Sequence, residues 1–238
     1  MLFNECMALA REIGNQGVIA DTLSSLAAIY TRQKQFDRAL VNLSEALSIA
    51  EKRGQEIRMG EVLHRMGNVY ATRGQLSEAK LHYSRSLDIA RSVGNRFSVA
   101  GNLTNLGNIS RLNGNTAEAI QQIKEAAIIA EEISSAGVLG RHWGNLAACH
   151  AELQQYEEAI QYFQKALQMA RKVGKSHQEG HLLGQLAKVY VLADSPDRAE
   201  PLYRKAIQSV TLHSHRLLYT FGPSLLYFWP QRVRAARF

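Results

Sequence analysis

The sequence predicts an all-α protein that folds as a superhelical solenoid of about five helix–turn–helix units. Three observations lead to this prediction: a block of forty residues recurs five times, apolar residues within each block follow helical spacing, and glycine or proline marks most of the boundaries between helices. A fixed period of this size is typical of stacked supersecondary units, each of which is stabilised by packing against its neighbours.

Each block begins with the first helix of its unit. In the first block the motif Leu-x-x-Leu-Ala-x-x-Tyr starts at Leu23 and ends at Tyr30. Positions i, i+3, i+4 and i+7 lie on one face of an α-helix, so the motif predicts a helix with an apolar stripe. The later blocks start, in order, at Leu63, Leu103, Trp143 and Leu183.

The second helix of each unit contains an alanine sixteen residues after the block start and a large side chain four residues later. Breakers separate the helices: Gly74 and Gly114 lie between the two helices of a unit, and Pro196 fits the first position of a helix. The repeated alanines are Ala39, Ala79, Ala119, Ala159 and Ala199. Second helices are expected to end near Gly14, Gly54, Gly94, Ser134 and Gly174.

The repeat pattern divides the chain into three parts. Residues 16–210 are predicted to form the solenoid, and residues 1–15 match only the second half of a unit, which indicates a half-repeat or an N-terminal capping helix. Pro223 stands where a sixth block would begin and is incompatible with a helix interior. Residues 211–238 are therefore expected to be a basic, aromatic C-terminal cap or tail, with a contact to a membrane surface or to nucleic acid as the alternatives.

The net charge of +7 is unevenly distributed. Residues 1–200 hold 22 Lys and Arg against 21 Asp and Glu, whereas residues 201–238 hold six basic residues and no acidic one. Phosphate-backbone binding along the repeats therefore has little electrostatic support, and nucleic acid is not the expected partner.

The two cysteines occupy repeat positions that are otherwise small or apolar. Cys149 aligns with residues such as Val69, and Cys6 with residues such as Ala46, so both are expected to be buried packing residues and not a disulfide pair. No apolar stretch is long enough to span a bilayer, and the chain does not begin with a leader-like segment. We expect a soluble cytoplasmic protein.

The paired helices with small residues at Ala27, Gly67, Gly107, Ala147 and Ala187 resemble the tetratricopeptide repeat. The forty-residue period is similar to that of the subclass found in kinesin light chains and in Partner of Inscuteable/LGN adaptors. These proteins share sequence motifs such as Asn105-Leu106-Gly107-Asn108. The resemblance implies a right-handed superhelix whose concave groove holds a peptide or helix of a partner protein. It also implies that side chains two and five residues after each block start line this groove.

Helix geometry places those positions away from the apolar stripe, where amides and cations recur. Amide side chains offer a donor and an acceptor to an extended main chain, and the cations favour an acidic partner segment. The competing interpretation is a polar face that serves solubility alone. The candidate groove residues are Arg65, Asn68, Asn105, Asn108, Arg111, Arg141, Asn145, His181, Gln185 and Lys188.

A narrower hypothesis is the carboxylate clamp of some family members, which would fall on five of the repeat positions. Arg141 is a basic substitute at its position, but His64 and Asn145 stand where the clamp needs cations, so a clamp is not favoured. The five positions are His64, Asn68, Asn105, Arg141 and Asn145.

Catalytic and metal motifs are weak. His177 and His181 have the spacing of a helical metal pair, but no third ligand is evident and Glu179 is misplaced for a zinc-protease helix. No cofactor or catalysis is therefore expected. The favoured prediction is a non-catalytic adaptor, and the alternative is a regulatory or sensor module of a larger signalling or transcriptional regulator.

Overall fold

The computed structural model describes residues 8–133, 135–174 and 176–211. Within these ranges the chain is helical apart from short turns, with no β-strand, which confirms the all-α prediction. After a helical stretch at residues 8–12, the helices are α1 (Gln16–Arg32), α2 (Phe36–Lys52), α3 (Glu56–Arg73), α4 (Leu76–Ser92), α5 (Arg96–Leu112), α6 (Thr116–Glu132), α7 (Ala136–Glu152), α8 (Tyr156–Lys172), α9 (Ser176–Leu192) and α10 (Pro196–Thr211).

Helix and turn lengths are nearly constant along the described chain. Most helices contain 17 residues, and most turns contain three. The forty-residue block is therefore two helices of equal length, each followed by a turn of similar length. Pro196 begins α10, as its position in the sequence predicts.

The turns require a residue in the left-handed backbone region. The glycines predicted to end second helices adopt it, with φ of 65° at Gly14 and 70° at Gly174. Between the two helices of a unit the same conformation occurs at Gly74 and Gly114, but also at residues with a side chain. These residues are Lys34, Gln154 and Asp194. Ser134 lies outside the described residues.

The first compact unit ends at residue 134 and contains α1–α6. Its helices pack as three hairpins, α1 with α2, α3 with α4 and α5 with α6, and the second helix of each hairpin packs on the first helix of the next. Helix α1 also contacts α3. The alanines at the repeat positions, among them Ala39, Ala79 and Ala119, are fully buried between the paired helices.

The second compact unit begins at residue 135 and contains α7–α10. It forms two hairpins, α7 with α8 and α9 with α10, joined by packing of α8 on α9. Its core includes Phe163 and Leu186 together with the repeat alanines. Cys149 is buried, as predicted from its register, whereas Cys6 lies outside the described residues.

The small residues on first helices allow close contact with second helices. A Cβ atom on Gly67 would lie 2.6 Å from Cε1 of Tyr83, and one on Gly107 would lie 2.7 Å from Cγ1 of Ile123. These approaches require glycine, so the repeat positions carry the packing role that the sequence predicts.

No described helix is long and apolar enough to cross a membrane. Of the predicted tail at residues 211–238, only the last residue of α10 is described, and residues 1–7 also lie outside the described residues.

Candidate functional site

Polar side chains form a face on the first helices of the second and third hairpins. On α3, Arg65 and Asn68 are three residues apart and exposed. On α5, Asn105, Asn108 and Arg111 are half-buried. We call these five residues the α3/α5 face.

The α5 part of this face is more covered than helix geometry alone predicts. Nine residues of α5 are buried, whereas five are buried in α1. The buried set on α5 includes polar residues such as Thr104 and Ser110. Its asparagines therefore expose only part of their side chains.

The amide of Asn68 is held from inside the hairpin. The hydroxyl of Tyr83, on α4, donates to Asn68 Oδ1 at 2.7 Å. Tyr83 is 3% exposed, and burial raises the pKa of its phenol, so the donor stays protonated at neutral pH. Asn68 is thus not a freely rotating surface amide.

A chain of buried hydrogen bonds joins α3 to α4 and α5. Ser86 Oγ donates to the Gly60 carbonyl at 2.8 Å, and Asn102 Nδ2 donates to Ser86 Oγ at 2.9 Å. Asn102 Oδ1 therefore faces the ring of His64 and accepts from its Nδ1 at 2.8 Å. Burial lowers the pKa of His64 and outweighs the hydrogen bond to Asn102, which raises it, while the Arg65 charge lowers it further.

A second polar face lies on α7 and α9, within the second unit. Arg141 is exposed and Asn145 half-buried on α7, while on α9 His181 and Lys188 are exposed and Gln185 is half-buried. We call these five residues the α7/α9 face.

His181 does not supply a positive charge to this face. Gln185 Nε2 donates to His181 Nε2 at 2.8 Å, so this ring nitrogen carries no proton. Burial, followed by the influence of His177, lowers the pKa of His181 and favours the same neutral form. Among the described residues, no group of three or more His, Cys, Asp or Glu is arranged to hold a metal ion.

The positions of the hypothetical clamp divide between the two units, with His64, Asn68 and Asn105 in the first. His64 stands where a cation is needed, but its Nδ1 is turned toward Asn102 and its lowered pKa favours the neutral ring. This geometry gives the clamp no support at His64.

Sequence reasoning missed the residues that support α3 from behind. Tyr83 is one of the large side chains that follow the repeated alanines by four residues, and the repeat pattern gives Ser86 and Asn102 no separate role. The repeat register gives only a partial signal for Asn102, because two of the equivalent residues are apolar, Val62 and Leu182, and two are polar, Thr22 and His142. A polar residue at a core-facing position is usually hydrogen-bonded.

Most of the chain matches the model of a known protein family. The model of the tetratricopeptide repeat matches residues 18–92, 58–132 and 138–210, which together cover most of the chain. The chain belongs to the tetratricopeptide repeat family. No curated protein matches it closely enough to count as a relative.

Solved structures share the fold of this tetratricopeptide repeat chain at low identity. BtubC (BKLC) from P. vanneervenii is 18% identical with a TM-score of 0.75, over 87% of this chain and 86% of that one. A kinesin-light-chain-type repeat protein from Podosopora anserina is 20% identical with a TM-score of 0.64, over 82% of this chain and 97% of that one.

A Rap protein complexed with Competence and Sporulation Factor is also similar. It is 20% identical with a TM-score of 0.72, over 81% of this chain, and the match spans 54% of the Rap chain. The tetratricopeptide repeat chain thus corresponds to about half of that protein.

Proposed function

We propose that this chain is a non-catalytic adaptor that binds an extended, acidic segment of a partner protein on the α3/α5 face. The observation that carries the proposal is the outward pair Arg65 and Asn68, extended by the asparagines of α5. Side-chain amides pair with the main chain of an extended segment, and the guanidinium attracts its carboxylates.

The family relationship supports a protein partner, since tetratricopeptide repeats present helical surfaces to other proteins. The α7/α9 face offers a second set of amides and cations in which Arg141 and Lys188 supply the charge. In this proposal it makes the same kind of contact with an acidic segment.

The proposed role includes no chemical step. The pKa shifts of the described histidines and tyrosines come first from burial, as at His82, His142 and Tyr203, and a desolvated group of this kind is common in a packed core.

A regulatory module within a larger protein is the second candidate. It is favoured by the likeness to the Rap protein, of which this chain spans 54%. In that case the same faces bind a signalling factor or another domain.

Affinity capture tests the proposal. The whole chain is compared with a variant in which Asn68, Asn105, Asn108 and Asn145 are changed to alanine. We expect the variant to lose the partners that the wild-type chain retains at physiological salt, because the amides can no longer pair with the partner main chain.

A matched control changes exposed polar residues on second helices, namely Lys80, Gln121 and Lys124, to alanine. This control is expected to keep the partners. Recovery of the same specific partners by the asparagine variant would contradict the proposal.

A further inference from the structure

The orientation of the Asn68 amide gives α3 a defined chemical preference. Because Tyr83 donates to Asn68 Oδ1 at 2.7 Å, the oxygen faces inward and the Nδ2 group faces outward. Asn68 itself is exposed, so its two N–H donors are available to a ligand. The amide therefore acts as a donor and not as a neutral donor–acceptor pair.

Tyr83 has little freedom to release this bond. Its ring packs against Gly67, where even a Cβ atom would lie 2.6 Å from Cε1. The ring also makes an edge contact with His64 at a centroid distance of 5.5 Å. The buried phenol is thus fixed by packing before any ligand arrives.

The equivalent asparagine of the next repeat lacks this support. Asn108 occupies the same repeat position as Asn68, but Ile123 stands where Tyr83 stands and has no hydrogen-bond donor. The two asparagines look alike in sequence and differ in structure. Asn68 is oriented by its own hairpin, and Asn108 serves as its natural comparison.

The backbone that carries Asn68 is also braced. The bonds that Ser86 donates to the Gly60 carbonyl and that His64 donates to Asn102 tie α3 to α4 and α5 at two consecutive turns. A helix held at these points keeps its outward side chains at fixed spacing, which reduces the entropy lost when a ligand binds.

The charged residues near Asn68 favour an anion on the side of Arg65 and disfavour one near Glu61. Arg65 lies three residues earlier on the same face and also presents only N–H donors. Glu61, one turn before Arg65, is exposed and repels an anion at the N-terminal end of the helix. The favourable position for an anion is therefore between Arg65 and Asn68.

We propose that Arg65 and the Asn68 amide form a subsite for a single carboxylate of the partner, with Tyr83 as the residue that positions the amide. Arg65 supplies charge-assisted hydrogen bonds, and Asn68 Nδ2 donates to a carboxylate oxygen. This inference rests on the proposed function and states where an acidic side chain of the partner is recognised.

Two blocked hexapeptides, one of glutamate and one of glutamine, test the subsite with the full-length chain. We expect the glutamate peptide to bind more tightly and to shift the Asn68 side-chain amide resonance, which is assigned by its absence from an Asn68→Ala variant. Tyr83→Phe is expected to lower the ratio of the two affinities by about three- to tenfold, the effect of one hydrogen bond.

Tyr203→Phe is the matched control, because Tyr203 occupies the same repeat position and Lys188 replaces the asparagine there. It should leave the affinity ratio unchanged. Glu61→Gln should increase affinity for the glutamate peptide about two- to fivefold, because it removes a nearby like charge from an exposed site. A purely structural role of Tyr83 would weaken both peptides equally and leave their ratio intact.

Asn68→Asp keeps an acceptor for Tyr83 and replaces the outward donor with an anion, without a change in the core. We expect it to remove the glutamate preference, with a smaller effect from Asn108→Asp. Equal affinity for both peptides in the wild-type chain, or equal changes in the ratio from Tyr83→Phe and Tyr203→Phe, would overturn the subsite.

The two proposals fail in different ways. If captured partners depend on the asparagines but not on Tyr83, the subsite is wrong and the adaptor function stands. If the glutamate peptide binds as expected while no partner depends on the asparagines, the subsite stands and the proposed function is wrong.

Discussion

At the scale of single residues, His142 shows how burial of one titratable group affects stability. The residue is 1% exposed on α7, and burial, with a smaller influence of Arg141, lowers its pKa from 6.5 to about 4. The unfolded chain takes up a proton more readily than the folded chain between these values. The contribution of His142 to folding stability is therefore fully present above about pH 6.5, and it is lost as the pH decreases toward 4.

We predict that the free energy of unfolding decreases by about 3 kcal/mol through His142 alone between pH 6.5 and pH 4. His142→Leu should remove this part of the pH dependence, since Leu182 fills the equivalent buried position in the next repeat. Denaturant unfolding of both chains at pH 6.5, 5.5 and 4 measures it.

The difference between the two chains isolates His142. Other histidines with lowered pKa, such as His64 and His82, are present in both and act in the same direction. Parallel pH curves for the two proteins would contradict the prediction.

At the scale of elements, the turns within hairpins contain strain that glycine can relieve. Lys34 and Gln154 have φ of 59°, where an L-residue with a side chain is disfavoured. Gly74 and Gly114 occupy the equivalent positions without this cost.

Lys34→Gly and Gln154→Gly are predicted to stabilise the chain by about 1 kcal/mol each, visible as a higher melting temperature. Gln121→Gly, in the exposed middle of α6, is the control and should destabilise by about 1 kcal/mol. A loss of stability from the two turn variants would show that their side chains contribute more than the backbone strain costs.

The helices and turns can be predicted from the sequence, but the orientation of one site residue cannot. The helices were predictable because the apolar spacing repeats, and even the turn at Lys34, which has no glycine, follows from the period alone. The exposure of Arg65 also follows from helix geometry. The orientation of Asn68 does not, because it depends on a hydroxyl fifteen residues away on another helix.

At the scale of the whole molecule, the charge is concentrated outside the repeats. Residues 212–238 contain four arginines and no acidic residue, so truncation after residue 211 leaves 24 basic against 21 acidic residues. The repeats then carry a small net charge and have little attraction for polyanions.

We predict that the full chain binds a single-stranded oligonucleotide weakly at low salt and that the truncated chain loses this binding. Fluorescence anisotropy across a salt series measures both, and the affinity of the full chain should fall steeply as salt increases. Equal binding by the truncated chain would place the nucleic-acid contact on the repeats instead.

The constant length of helices and turns has a consequence for the gene. Since most helices have 17 residues and most turns three, any two equivalent points in different repeats join with the same local geometry. Unequal recombination between equivalent points in adjacent repeats adds or removes forty codons and preserves the helix and turn lengths at the junction. A coding sequence of this kind can lengthen or shorten its product by whole units while the alternation of helices and turns continues in register.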